Sequence, residues 1–272
     1  MNLAEFLFTD PAPVRAVLRR VIERLKLGSY RFRLGIGAVE RPHYGYIIHE
    51  AARLAARLGH ERISVVEFGV AGGNGLLAIE RHAAEVEKLF PVRIEVYGFD
   101  TGEGLPEPVD YRDLPYLWQR GHFAMDHGAL RQRLTRSKLV IGNVADTAKT
   151  FFQGFAPAPI GAVVHDFDFY SSTLDALELF RGEPGRLLPR VYCYFDDTMG
   201  DAEQVYSQFT GERLAIEDFN AGNEDRKIGI PFYLRARQAL GAWVHQIWIL
   251  HVFSHPDYTR FIASPEQQLP LR

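Results

Sequence analysis

The chain has 272 residues, 47% of them apolar and 24% charged, with a formal net charge of −3. That length holds one large α/β domain or two small ones, and the balance is that of a soluble globular protein without the basic footprint of a nucleic-acid binder. Cys193, the single cysteine, excludes an internal disulfide and a cysteine-rich zinc site and fits a reducing, cytoplasmic compartment.

Asp10-Pro11 followed by Val14, Val17, Leu18, Val21 and Leu25 predicts a helix over residues 11–27, capped by Asp10 with proline in its first turn. The first ten residues lack a basic n-region and a cleavage pattern, so no secretory signal is expected. No apolar run approaches about 18 residues, so neither is a membrane span. Arg15, Arg19, Arg20 and Arg24 crowd the rest of this helix, as on a solvated face; a lid or a dimer arm would carry the same pattern. Residues 29–42 are irregular and Gly-rich and read as an extended connection. Tyr44, Ile47, Ile48, Ala51, Leu54, Ala55 and Leu58 form the apolar stripe of a helix over 43–58, ended by Gly59.

The stretch that organises the chain follows. Ile63, Val65 and Val66 lead through Glu67 into a turn holding Gly69, Gly72, Gly73 and Gly75, then a helical pattern from Leu76 to Leu89. A buried parallel strand that ends in a glycine turn and opens a helix is where α/β proteins bind nucleotide-like ligands. A dinucleotide site wants G-x-G-x-x-G. Here the middle glycine is Ala71, and the run reads E-x-G-x-A-x-G from Glu67 to Gly73. It resembles the first motif of class I S-adenosylmethionine (SAM) methyltransferases. Taken alone, the turn also leaves open NAD(P), another nucleotide or a purely structural role.

Residues 91–100 read as a second strand ending in Asp100, where a carboxylate can accept from both hydroxyls of a ribose. Residues 101–126 are rich in Gly and Pro and carry Tyr111, Tyr116, Trp118 and Phe123. They form either a mobile loop packed by its own aromatics or a lid over substrate. A helix over 127–136 and a strand over 137–142 lead to Asn143, which either forms a turn or bonds adenine. A short helix over 146–153, a strand over 160–166 and a helix over 173–181 follow, the last marked by Ser172 and Asp175 in capping-box positions. Residues 190–196 read as strand 5, with Cys193 as inert packing. The remainder predicts a helix over 201–210, a strand near 214–218, a helix over 231–241 and a long apolar strand over 245–253. His165 is either a core histidine or a substrate contact, and His122 and His127 read as solvent-exposed.

Strand 4 ends in Asp166-Phe-Asp168 and strand 5 in Asp196-Asp197. In the commonest doubly wound orders strands 1, 4 and 5 are neighbours about 4.8 Å apart. Asp166 and Asp196 would then sit side by side next to the glycine turn. Carboxylates that close repel unless a proton or cation intervenes, and an oxygen-only donor set suits Mg²⁺ or another hard divalent ion. Asp168 or Asp197 could instead only cap the following helix.

The blocks Tyr97-Gly-Phe-Asp-Thr-Gly-Glu-Gly-Leu-Pro-Glu-Pro108, Asp166-Phe-Asp-Phe-Tyr-Ser-Ser-Thr-Leu-Asp-Ala-Leu177 and Phe195-Asp-Asp197 resemble the signature blocks of the macrocin O-methyltransferase family, metal-dependent enzymes that methylate sugars of antibiotics. The likeness covers residues 62–209. It implies a Rossmann-like class I SAM methyltransferase fold: a mostly parallel seven-stranded sheet with helices on both faces. Residues 1–60 would be an N-terminal helical extension or lid and 61–272 the methyltransferase domain. It further implies that Asp166, Asp196 and Asp197 hold a divalent metal, and that Asp168 is the base that takes a proton from a metal-activated hydroxyl. Glu67, Gly69, Ala71, Gly73, Asn74, Asp100, Asn143 and Asp166 would contact SAM. The acceptor would be a small molecule carrying a hydroxyl, a sugar or catechol-like diol, with no nucleic acid or membrane involved; a homo-oligomer is left open. The chain departs from the family at Ser171, where Glu is usual, and at Gly102, where Phe is usual. The rival readings are a NAD(P)-dependent oxidoreductase and a non-catalytic SAM-binding protein.

Overall fold

A computed structural model describes residues 13–237, 240–264 and 266. Among the described residues, seven strands form one sheet in the order β3-β2-β1-β4-β5-β7-β6. They are β1 (Arg62–Phe68), β2 (Arg93–Asp100), β3 (Lys138–Ile141), β4 (Ile160–His165), β5 (Leu187–Phe195), β6 (Arg226–Gly229) and β7 (Ile247–Val252). Strands β1 to β5 run parallel, and β7 is antiparallel to both of its neighbours. The order reverses direction between β1 and β4, so the carboxyl ends of these two strands face the crevice where such sheets take ligands.

The sheet is buried on both faces, which is why its central strands are almost continuously apolar. Along β1, Ile63 and Val65 face one core, and Val66 and Phe68 face the other. The first core is closed by α3 (Pro42–Leu58) and α4 (Asn74–Val86) through Tyr44, Ile47, Ile48, Leu76 and Ile79. The second lies under α6 (Val144–Phe155), α7 (Tyr170–Leu177) and α8 (Gly211–Ala221) and is filled by Phe151, Leu177 and Phe219. Helices α1 (Pro13–Arg24) and α2 (Tyr30–Gly35) precede these, α5 (His127–Arg133) leads into β3, and α9 (Phe232–Arg235) is a single turn. None of the described helices is long and apolar enough to cross a membrane.

Several expectations need correction. Residues 29–42 are not extended throughout: α2 starts on a Ser29 cap whose hydroxyl accepts from the Phe32 N–H. The expected strand near 214–218 is the middle of α8, because Glu212, Ala215, Ile216 and Phe219 are buried at helical spacing. A short apolar run does not separate the two states; the wider period does. The expected helix over 201–210 is a series of turns. Helix α7 begins at Tyr170 rather than 173, and its cap position, Phe169, supplies no side-chain hydrogen bond. The sixth strand is the polar Arg-Lys-Ile-Gly of β6, which pairing with β7 makes a strand and propensity does not. The helix expected over 231–241 is α9 followed by a separate turn at Ala242–His245; residues 238 and 239, like the Asp10-Pro11 start, lie outside the described residues.

Candidate active site

The strand register builds the site. Phe68 pairs with His165 and His165 with Phe195, so Gly69, Asp166 and Asp196 leave the sheet level with one another. Gly69 has φ of +81°, and a Cβ there would lie 1.8 Å from the Asp166 carbonyl oxygen. Only glycine lets β1 turn away while the end of β4 comes this close. The gap opens into a cavity of about 390 Å³. Gly69, Ala71, Asp100, Thr101, Gly142, Asn143 and Val144 line one end, and Asp166, Asp168, Asp196, Asp197 and Gln204 the other. Trp118 and Phe123, from the long loop after β2, form part of its wall.

At the first end, Asp100 accepts hydrogen bonds from the N–H groups of Val70 (2.9 Å), Ala71 (2.8 Å) and Gly102 (2.6 Å). Three of a carboxylate's roughly four acceptor positions are thereby filled. Asp100 thus ties the glycine turn to the loop after β2 and keeps capacity for about one more donor. Ala71 sits at φ +45°, a left-handed conformation that a side chain resists by about 1–2 kcal/mol. The carboxylate of Asp100 holds it there. Asn143 caps α6 by accepting from the Ala145 N–H (2.9 Å) while it also lines the cavity, so its turn role and an adenine contact through its amide N–H are compatible.

Glu67 is 1% exposed, packs against Gly75 and keeps one carboxyl oxygen without a partner. Burial, then Asp166 nearby, push its pKa well up. Glu67, Gly73 and Asn74 do not reach the cavity wall; Gly73 instead caps α4 at φ +77° without a side-chain bond.

The acidic end is crowded. Burial followed by Asp196 and Asp197 raises Asp166 well above the ordinary carboxyl range. Asp168 is raised to about 7 by burial, then by Asp166 and Asp196. Asp197 is raised as well, by burial and then by Asp168 and Asp196. Arg41, at the start of α3, is the cation whose charge reaches Asp166, and it feels Glu67, Asp166 and Asp196 in return. Asp168 has φ +60° and donates its N–H to an Asp197 oxygen (2.8 Å). The other Asp197 oxygen accepts from the Gln204 amide, and the Tyr194 hydroxyl donates to Asp196.

These bonds already engage Asp196 and Asp197. Among the described residues no three His, Cys, Asp or Glu side chains are gathered to hold a metal ion. The donor set of Asp166, Asp196 and Asp197 has the right chemistry for a hard divalent ion, but its placement does not hold one.

Some contributors escaped the sequence reading. Glu212, fully buried in the first turn of α8, accepts from the Asp197 N–H (2.9 Å) and keeps its second oxygen unpartnered. It lay beside a stretch expected to be a strand. Gln204 lay within an expected helix. Tyr194 carried a usable signal, since residues two apart on a strand share a face with Asp196. His165 is a core residue: fully buried, stacked on Phe195 with centroids 4.2 Å apart, and lowered to about 3 by burial.

Both departures at Gly102 and Ser171 have local causes. A Cβ at Gly102, whose φ is +80°, would lie 2.0 Å from the His127 ring, which fills the space a larger residue needs. Ser171 donates both its N–H and its hydroxyl to the buried Asp113 (2.8 Å each), so a Glu at 171 would set two carboxylates against each other.

No protein-family model and no curated protein matches the sequence. Among solved structures, the chain is similar to the O-methyltransferase NovP, with a TM-score of 0.54 and 13% identity over 88% of this chain and 97% of that one. It also aligns with CalS11, a calicheamicin methyltransferase, at TM-score 0.49 and 21% identity over 80% of this chain and 88% of that one. TomG from Streptomyces achromogenes, an O-methyltransferase solved with SAM, aligns at 0.42 and 15% over 92% and 93%. The NovP alignment and the strand order agree: the fold is the Rossmann-like fold of class I methyltransferases.

Proposed function

We propose that the chain is a SAM-dependent O-methyltransferase that moves a methyl group to a hydroxyl of a small molecule, a sugar or a catechol-like diol. One observation carries the reading: a single cavity joins a nucleoside-type glycine turn to a cluster of carboxylates able to handle a hydroxyl proton. That NovP, which shares the fold, is an O-methyltransferase supports it.

The fit to SAM rests on the chain's own groups. The cavity opens beside the Gly69 turn, Asn143 presents an amide at one end, and the acidic end suits the positive charge of a sulfonium. When bound, SAM supplies an electrophilic methyl group. An acceptor hydroxyl at neutral pH is a poor nucleophile until its proton has somewhere to go. Asp168, at the cavity wall and 8% exposed, is placed to take it. Gln204 and Asp197 fix the backbone and acids around it, and Trp118 and Phe123 form part of the cavity wall. Holding donor and acceptor together supplies much of the acceleration.

A divalent ion on Asp166, Asp196 and Asp197 is a separable part of this proposal. The oxygen-only chemistry of these side chains supports it; holding an ion requires the Tyr194 and Gln204 bonds to be given up. The test is methyl transfer from labelled SAM to a panel of sugars and catechols, with Mg²⁺ and with chelator. Transfer to a diol that drops at least about 100-fold in Asp168→Asn, with SAM binding intact, is expected. Transfer retained in Asp168→Asn removes Asp168 as the base; transfer unaffected by chelator removes the metal.

A further inference from the structure

The loop between β2 and α5 is not free of the body of the protein. Its middle, Tyr111–Asp113, is a short turn whose last residue is fully buried. The Asp113 carboxylate accepts three hydrogen bonds, each 2.8 Å: one from the Val109 N–H within the loop and two from the Ser171 N–H and hydroxyl in the first turn of α7. Since α7 has no side-chain cap of its own, Asp113 satisfies its exposed N–H from 58 positions away. Beside it the Arg112 guanidinium lies over the Tyr170 ring at 4.3 Å, and Tyr170 donates to Asp218 at 2.8 Å.

The chain then passes directly to the cavity. Leu114, 1% exposed and at φ +55°, accepts at its carbonyl from the N–H groups of Leu117 (2.9 Å) and Trp118 (3.0 Å). Trp118 lines the cavity, and its indole N–H is buried with no partner. A second tether crosses the acidic end, where the Tyr116 hydroxyl donates to the Glu203 carbonyl (3.0 Å) next to Gln204.

We propose that Asp113 is a positioning residue which, by clamping the 101–126 loop to the start of α7 through Ser171, holds Trp118 as a fixed wall of the cavity against the bound ligand. This rests on the SAM reading above for the ligand, but not for the clamp. The loop is then neither a mobile lid nor a bundle packed only on itself. Its centre is fixed in the apo protein.

The experiment uses the full chain and four variants, Asp113→Asn, Ser171→Ala, Ser171→Thr and Trp118→Phe, with S-adenosylhomocysteine as the probe. Titration calorimetry is expected to show about tenfold weaker binding in Asp113→Asn, Ser171→Ala and Trp118→Phe. Ser171→Thr, which keeps the hydroxyl, should bind within about twofold of wild type. Acrylamide quenching without ligand, read as the difference from Trp118→Phe, should rise in Asp113→Asn and Ser171→Ala and stay low in Ser171→Thr. Equal quenching in wild type and Asp113→Asn would overturn the clamp, whatever the ligand. Quenching as expected, with no binding of the probe to wild type, would keep the clamp, remove its role in holding that ligand and count against the SAM reading. A lower melting temperature in Asp113→Asn with unchanged binding would leave it a purely structural acid and overturn the proposal.

Discussion

Glu80 and the Asp166–Asp168–Asp197 group are all carboxylates withdrawn from solvent, yet the fold treats them in opposite ways. Glu80, on α4, is 6% exposed. It accepts from the Thr135 N–H and hydroxyl, the Arg136 N–H and the Ser137 N–H and hydroxyl, at 2.7–3.1 Å. Burial alone would raise its pKa, but the Arg136 N–H and the Thr135 and Ser137 donors outweigh that and hold it at about 2. The acids at the ends of β4 and β5 receive fewer donors and face one another, and burial with mutual repulsion raises them. A carboxylate that the fold satisfies is a structural pin. Carboxylates that the fold leaves short of donors store an unfavourable charge that a ligand or a proton can relieve.

The sharpest way to break this contrast is to remove each member. Glu80→Ala leaves five donors at 135–137 unmet and should lower stability by about 3–4 kcal/mol in urea denaturation, since bonds to a buried charged group are worth about 1.5–3 kcal/mol each but are not additive. A loss under about 1 kcal/mol would mean that water replaces the carboxylate. Asp168→Asn should do the reverse. Asparagine tolerates the left-handed φ of +60° at this position and removes a charge the site disfavours, so the apo protein should gain about 1–2 kcal/mol at pH 8.

The pH dependence has opposite signs in the two regions. Glu80 has a lowered folded pKa, so its contribution is complete above the ordinary carboxyl range and is lost as pH falls toward about 2. Asp168 has a raised one, so its contribution is complete below the ordinary range and is lost as pH rises through about 7. The gain in Asp168→Asn should therefore shrink from pH 8 to pH 5, and melting curves at the two values check it. A gain that does not change with pH would show that charge is not its source. The smallest effect is at Ala71, where Ala71→Gly should relieve the strain at φ +45° and raise stability by about 0.5 kcal/mol. Destabilisation there would mean that the Asp100 tether does not need the turn to be strained.

The same contrast governs what could be read from sequence. Parallel strands that end level declare themselves: Ile63, Val65 and Val66, read as leading into the glycine turn, lie in β1, and Asp166 and Asp196 come together because β4 and β5 pair in register. The raised pKa of Asp166 follows from burial and from that proximity, which the strand order already implies. The satisfied acids were not legible in the same way. Glu80 meets donors 55–57 positions away, and Asp113 meets Ser171 at 58. Neither pairing has a local pattern, because tertiary packing alone brings those backbones together. The last 70 residues misled for a related reason. In α8 the decisive burial is that of Glu212, a charged residue that no apolar period would flag.

Titration calorimetry of S-adenosylhomocysteine on the full chain, with NAD⁺ and NADP⁺ as competitors, tests most directly the proposal that the cavity beside Gly69 binds SAM. One-to-one binding in the micromolar range, unaffected by the dinucleotides and weakened several-fold in Asn143→Ala, is the expected result. No binding of S-adenosylhomocysteine together with binding of NAD⁺ or NADP⁺ would contradict it and make the chain an oxidoreductase on a related sheet.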